Sequence, residues 1–263
     1  VPASMVFLPY YYCLEEREEP IVQPISTGLA CHGSIAEATI SAICEVIERD
    51  AFTITWQARL AMPHIRIESL SDHNRGIVAR LERNGSKVVL VDITLDIGVP
   101  TILAILRAKS TEAPALVFAA SADLDPERAV AKSLEEIAHT RQLAQDLKCN
   151  QAPIVAQAHY KNIVHQDDHV LLYCDHRNIP LADFIWSSRK EKAFNQLKPL
   201  ATGDYEKDQK SLARRISALG YRVLIANVTT PDIESLGLAV VRAIIPGFHP
   251  LFMGHRFRSL GGT

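Results

Sequence analysis

The sequence predicts an α/β protein of mixed α+β character, in which helices pack against short buried strands. Three observations carry that prediction. An apolar helical period runs from Ser34 to about Trp56, three short β-branched runs follow at 87–93, 101–106 and 115–119, and Asp125-Pro126 opens a second long helix.

Residues 1–25 carry aromatics, prolines and the acidic run Glu15-Glu-Arg-Glu-Glu19, which suits an extended leading segment with a solvated turn. In the first long helix Ser34 is the expected N-cap, and Glu37 three residues on completes a capping-box pattern. A helix is expected at 74–84. The run Lys87-Val-Val-Leu-Val-Asp-Ile93 then reads as a buried strand, as do Thr101–Leu106 and Ala115–Ala119. Asp125 caps and Pro126 starts a helix reaching about Leu147. Residues 150–200 are polar and weakly periodic, with one short strand expected at Val170-Leu-Leu-Tyr173. A helix over 207–219 ends at Gly220, and strands follow at 221–227 and 238–244. The tail from Pro246 is irregular.

At 263 residues the chain can bury a large core, and its 48% hydrophobic and 22% charged residues exclude disorder. A net charge of −2 without a basic block argues against nucleic-acid binding. No apolar run approaches the roughly 20 residues of a membrane span, and no signal peptide opens the chain, so the cytoplasm is the expected location. The five cysteines are scattered and never form a CxxC pair, so neither a disulfide framework nor a zinc site is indicated. The chain opens on Val1 and closes on Leu260-Gly-Gly-Thr263, which leaves a longer parent chain open.

The stretch Ser26-Thr-Gly-Leu-Ala to Ala51 holds the chemistry. On a helix turning about 100° per residue, Glu37, Glu48, Ser41 and Glu45 fall near 0°, 20°, 40° and 80°, with Arg49 on the shoulder near 120°. Most of the remaining circumference is apolar, as in a buried helix. Two carboxylates about 6 Å apart at an effective dielectric near 20 repel by roughly 3 kcal/mol, so the stripe must take up protons or recruit cations. Mg²⁺ accepts a few carboxylates while keeping water and phosphate ligands, and Arg49 would then face phosphate oxygens. An ion-paired surface helix remains the competing reading.

On the second long helix Glu136 and His139 are i,i+3 neighbours, which by themselves read first as an interior hydrogen-bonded arrangement, with a ligand role as the alternative. His165-Gln-Asp-Asp-His169 reads as a solvated loop in preference to a metal site. Cys31 lies in a Gly-rich turn with no assignable His and acid, and reads as structural or incidental rather than as a nucleophile.

Ser26-Thr-Gly-Leu-Ala, then Glu37-Ala, then Ser41-x-x-x-Glu45-x-x-Glu48-Arg49-Asp50-Ala51 resembles the ATP-binding core of the YcaO family. Ala120-Ser-Ala-x-Leu-Asp-Pro-Glu-x-Ala129, leading to Leu134-x-Glu136-x-x-His139-x-Arg141, resembles the family's second acidic helix. Pro246-Gly-Phe-His-Pro-Leu251 to Gly254-His-Arg256 resembles the azoline-forming cyclodehydratase branch. The resemblance implies a YcaO-type fold, with mixed sheets packed against helices around an ATP cleft. It implies Mg²⁺ held by Glu37, Glu45, Glu48 and Glu136, and ATP contacted by Arg49, Ser41, His139 and Arg141. The sequence departs from the family pattern where His139 replaces a common Gln and Gly33 a common Asn. The family's proline-rich C-terminal end is not present after Thr263, so no catalytic residue is assigned.

The reading is one catalytic domain over 1–263: the ATP-dependent cyclodehydratase component that converts Cys, Ser or Thr of a ribosomally made precursor peptide into thiazoline or oxazoline. Its expected partners are the precursor peptide and a leader-peptide-binding protein, with a homodimer left open. The rival readings are thioamide or amidine formation, an accessory to ribosomal-protein modification, or a non-catalytic nucleotide-binding scaffold.

Overall fold

The computed structural model describes residues 1–13, 19 and 21–258. Apart from Glu19, the acidic run at 15–19 lies outside the described residues, as does the end from 259 onward. In chain order the elements are β1 (Leu29–His32), α1 (Ile35–Gln57), β2 (His64–Ile65), α2 (Asp72–Glu82), β3 (Lys87–Asp92), β4 (Thr101–Arg107), β5 (Leu116–Ala122), α3 (Pro126–Asn150), α4 (Gln166–Leu172), β6 (Glu191–Lys192), α5 (Tyr205–Ala218), β7 (Leu224–Asn227), α6 (Pro231–Ser235) and β8 (Ala239–Ile244). They fall into two compact units, residues 1–47 with 201–248 and residues 48–200 with 249–263. The continuous helix α1 gives residues 35–47 to the first and 48–57 to the second. Among the described residues no helix is long and apolar enough to cross a membrane.

The first unit holds an antiparallel sheet in the order β1-β8-β7. Its central strand buries Val241 and Ala243, and α5 buries Leu212 and Ile216 one turn apart. Asp204 caps α5 by accepting from the Lys207 N–H at 3.1 Å, and Gly220, with φ of 87°, ends it in the left-handed conformation that glycine tolerates best. Gly28 is a position no other residue fills. Its φ is 84°, and a Cβ there would lie 2.3 Å from the Ala243 carbonyl oxygen. The chain approaches so closely because Ala243 N–H donates to the Gly28 carbonyl at 2.8 Å, continuing the β1–β8 ladder.

The second unit is built on a sheet ordered β5-β4-β3-β2-β6, antiparallel except for the β2–β6 pair. Both faces are covered. Val88, Leu90, Ile102 and Ala104 pack with Ile77 and Val78 of α2 and Val130, Leu134 and Ile137 of α3. On the opposite face Val91, Leu103, Ile105 and Ala120 pack with Ala51 of α1, Leu172, Tyr173 and Phe184. Double coverage explains why these strands read as unbroken apolar runs and not as alternating ones. Each fully buried Ile or Leu contributes about 1.5–3 kcal/mol.

The stretch 170–173, expected as a strand, is helical as far as Leu172. The Asp168 carboxylate accepts from the N–H groups of Val164 and His165, both at 2.8 Å, and so starts α4. The acidic cluster His165–His169 therefore serves a helix start, in place of the expected solvated loop. The strand expected at 115–119 extends to Ala122, and the one expected at 221–227 begins only at Leu224.

Candidate functional site

The site residues of the first unit sit on one face of α1. Ser34 Oγ accepts from Glu37 N–H at 3.2 Å, so the expected cap forms. The Glu37 carboxylate lies 3.5 Å from His32 Nδ1, while His32 Nε2 lies 2.9 Å from Ser41 Oγ. One imidazole at the end of β1 thus ties two members of the stripe together. One turn on, Glu45 Oε2 accepts from Gly28 N–H at 3.1 Å. The glycine that must be glycine therefore also orients a carboxylate.

Beside Glu45 lies Arg242, at the centre of β8 between Leu29 and Ala226. It is only 7% exposed, yet its Nε and Nη1 have no hydrogen-bond partner. Burial lowers its pKa from the ordinary arginine value, and the nearby Glu45 charge acts in the opposite direction. A buried guanidinium with open N–H groups fits an anionic ligand, such as a nucleotide phosphate, that supplies the missing acceptors.

In the second unit Glu48 is buried at 7% exposure. Its Oε2 accepts from Ala122 N–H at 3.3 Å, and its Oε1 lies 3.1 Å from Arg49 Nη1. Glu136 and His139 both stand exposed on α3, and Arg141 is half-buried. Among the described residues no group of three or more His, Cys, Asp or Glu side chains is gathered to hold a metal by itself. Carboxylates strung along a helix suit an ion that takes one or two of them and completes its shell with water and phosphate, which is how Mg²⁺ behaves.

Asp50, next in the same motif, holds the tail. Its Oδ1 accepts from His249 N–H at 2.7 Å and lies 3.2 Å from His249 Nδ1. Burial raises the Asp50 pKa above the usual carboxylate value, opposed by the His249 hydrogen bonds. Further along, His255 N–H donates to the Ile163 carbonyl at 3.0 Å. The chain passes so near there that a Cβ on Gly254 would lie 2.2 Å from the Val164 carbonyl oxygen.

Sequence reasoning missed His32, Arg242 and the structural role of Asp50. Arg242 had a visible signal, a lone charge in the apolar run Leu238-Ala-Val-Val-Arg-Ala-Ile-Ile245. His32 had none, because its two partners come from α1. Cys31 is exposed, and Cys44 and Cys174 are buried.

The chain is similar to known proteins. The family model described as YcaO cyclodehydratase, ATP- and Mg²⁺-binding, matches residues 1–249. An uncharacterized protein of Methanothermobacter thermautotrophicus is 28% identical over 275 aligned positions, covering 98% of this chain and 65% of the relative. A heterocyclase solved in complex with substrate and cofactor superposes with a TM-score of 0.76 at 21% identity, over 95% of this chain and 31% of that one. A protein of Methanopyrus kandleri bound with AMPPCP and Mg²⁺ does so with a TM-score of 0.71 at 22% identity, over 94% and 59%. The chain thus spans less than two thirds of each of these proteins, and the two structures establish likeness of fold.

Proposed function

The chain belongs to the YcaO family, and from that premise we propose that it is the ATP-dependent cyclodehydratase component acting on a ribosomally made precursor peptide. The observation that carries the nucleotide half of this reading is Arg242, a buried cation with open N–H groups beside a carboxylate stripe. The family model's description as ATP- and Mg²⁺-binding supports the same assignment. Glu37, Glu45, Glu48 and Glu136 are proposed as the carboxylates for Mg²⁺. Arg49, Arg242, Ser41, His139 and Arg141 are proposed to contact the nucleotide.

Bound Mg·ATP supplies a phosphoryl group and neutralises the charge that develops as it moves. In the proposed reaction a Cys, Ser or Thr side chain of the peptide gives its S–H or O–H proton to solvent and attacks the carbonyl carbon before it, forming the new C–S or C–O bond as the C=O π pair moves onto oxygen. The carbonyl oxygen takes the phosphoryl group, ADP departs, and loss of phosphate with the amide proton leaves the C=N bond of the azoline. Direct expulsion of that oxygen as water is slow, and phosphorylation makes it a good leaving group. The arginines contribute by holding phosphate oxygens in place, which is chiefly positioning and electrostatics.

A leader-peptide-binding protein is proposed as the partner and the cytoplasm as the location. The test is mass spectrometry of a Cys-, Ser- and Thr-rich precursor incubated with the protein, the partner, ATP and Mg²⁺. Loss of one water per modified residue, with ADP formed in step, is expected. Exchange of amide oxygen for sulfur would assign the chain to thioamide formation, and ATP binding without any peptide product would make it a scaffold.

A further inference from the structure

One turn beyond Glu48 on α1 and one turn beyond Glu136 on α3, the second unit opens into a cavity of about 540 Å³. Phe52 and Thr53 stand on the first helix and Thr140 on the second, with Thr140 Oγ1 bonded to the Glu136 carbonyl at 3.0 Å. The wall is aromatic. Trp56 stacks on Phe52 at 5.4 Å between centroids and meets Phe118 and Tyr173 edge-on at 5.0 and 5.5 Å. Leu251, Phe252 and Met253 of the Asp50-anchored tail complete the lining. The volume lies within the range of about 300–1,000 Å³ found for ligand sites.

Two polar atoms in this apolar lining are unsatisfied. Gln57 Nε2 and His169 Nε2 are shielded from solvent and have no hydrogen-bond partner. Leaving a buried donor or acceptor open costs about 1–3 kcal/mol, so such atoms mark a place where a ligand completes the bonding. Gln57 Nε2 is a donor that suits a peptide carbonyl. Burial lowers the His169 pKa, with the charge of His255 adding to it, so the imidazole is neutral and can pair with either backbone group.

We propose that this cavity receives a large apolar side chain of the peptide substrate, at a position flanking the residue modified, while Gln57 and His169 bond the peptide backbone beside it. The inference rests on the reading of the chain as a peptide-modifying enzyme and adds a substrate preference to it. The occupant is a peptide segment because the two open groups match backbone amides and because the cavity begins one turn from carboxylates assigned to the reaction.

The test uses the protein with Trp186→Phe, which leaves Trp56 in the cavity wall as the one tryptophan of the chain. Binding of N-acetyl-Phe-Gly-Cys amide and N-acetyl-Ser-Gly-Cys amide is followed by Trp56 fluorescence. The phenylalanine peptide is expected to bind at least about tenfold tighter, and Thr140→Phe, which fills the space without adding a tryptophan, is expected to abolish that preference. Gln57→Leu is expected to weaken both peptides by about tenfold alike. Equal affinities, a preference that survives in folded Thr140→Phe, or saturable binding of indole with no discrimination between peptides would overturn the proposal. If Thr140→Phe does not fold, the peptide comparison and Gln57→Leu decide. Calorimetry with Mg·ATP separates the two readings. Nucleotide binding without peptide preference sinks the cavity proposal alone, and preference without nucleotide binding sinks the ATP assignment alone.

Discussion

Arg242→Met separates binding from folding at the same residue. Methionine keeps the apolar stem within β8 but removes a guanidinium that is 7% exposed and leaves Nε and Nη1 unbonded. An unsatisfied buried polar group costs about 1–3 kcal/mol, more when charged, and the substitution relieves that cost. Nearby Glu45 loses a favourable charge, but it keeps the Gly28 N–H and is only half-buried. The variant without nucleotide should therefore melt at or above the parent temperature. With nucleotide the sign reverses, because a charge-assisted bond to phosphate is worth about 1.5–3 kcal/mol, or roughly ten- to hundredfold in affinity. Thermal unfolding followed by circular dichroism and titration calorimetry with Mg·ATP give the two numbers. A variant that is destabilised yet binds Mg·ATP as the parent does would show Arg242 to be a structural partner of Glu45, and the nucleotide assignment would fail.

Gly28→Ala should destabilise the protein by more than about 2 kcal/mol in urea unfolding, because it adds left-handed strain to a Cβ placed 2.3 Å from the Ala243 oxygen. Glu48→Gln should leave circular dichroism unchanged and weaken Mg·ATP binding at least about tenfold in calorimetry, and unchanged binding would remove Glu48 from the ligand set. His139→Gln should be tolerated in turnover, since an amide can supply the polar contact of a neutral imidazole. A loss as large as that in His139→Leu would mean that the ring does chemistry. Because burial raises the pKa of Asp50, its contribution to stability is fully present below the unfolded value of about 3.9 and is lost as pH rises through the folded one. His249 hydrogen bonds narrow this window and the Asp96 charge widens it. Asp50→Asn should flatten that part of the stability-versus-pH curve, as measured by denaturant unfolding across the acid range.

What the sequence determined by itself is what local physics controls. Helices α1 and α3 were legible because each carries apolar positions at helical spacing and a capping residue at its start, Ser34 and Asp125, and α5 because Gly220 marks its end. Strands β3, β4 and β5 were legible because burial on both faces demands an apolar residue at nearly every position. The carboxylate stripe followed from helical spacing alone. The structure alone decided whatever depends on pairing across the chain. Val170–Leu172 are helical because of one carboxylate, Asp168, that caps the preceding turn, and four apolar residues hold no period that could reveal it. β2 and β6, two residues each, exist because β2 pairs with β3 and because Lys192 reaches the buried Asp92 carboxylate on that same strand. His32 joins Glu37 to Ser41 because the end of β1 lies against the start of α1, and Arg242 lies beside Glu45 because β1 and β8 are adjacent, although more than two hundred residues separate those strands in sequence. The aromatic cavity is likewise a product of assembly: Trp56, Phe118, Tyr173 and Phe252 come from four separate segments, and no local pattern in any one of them could specify that they meet.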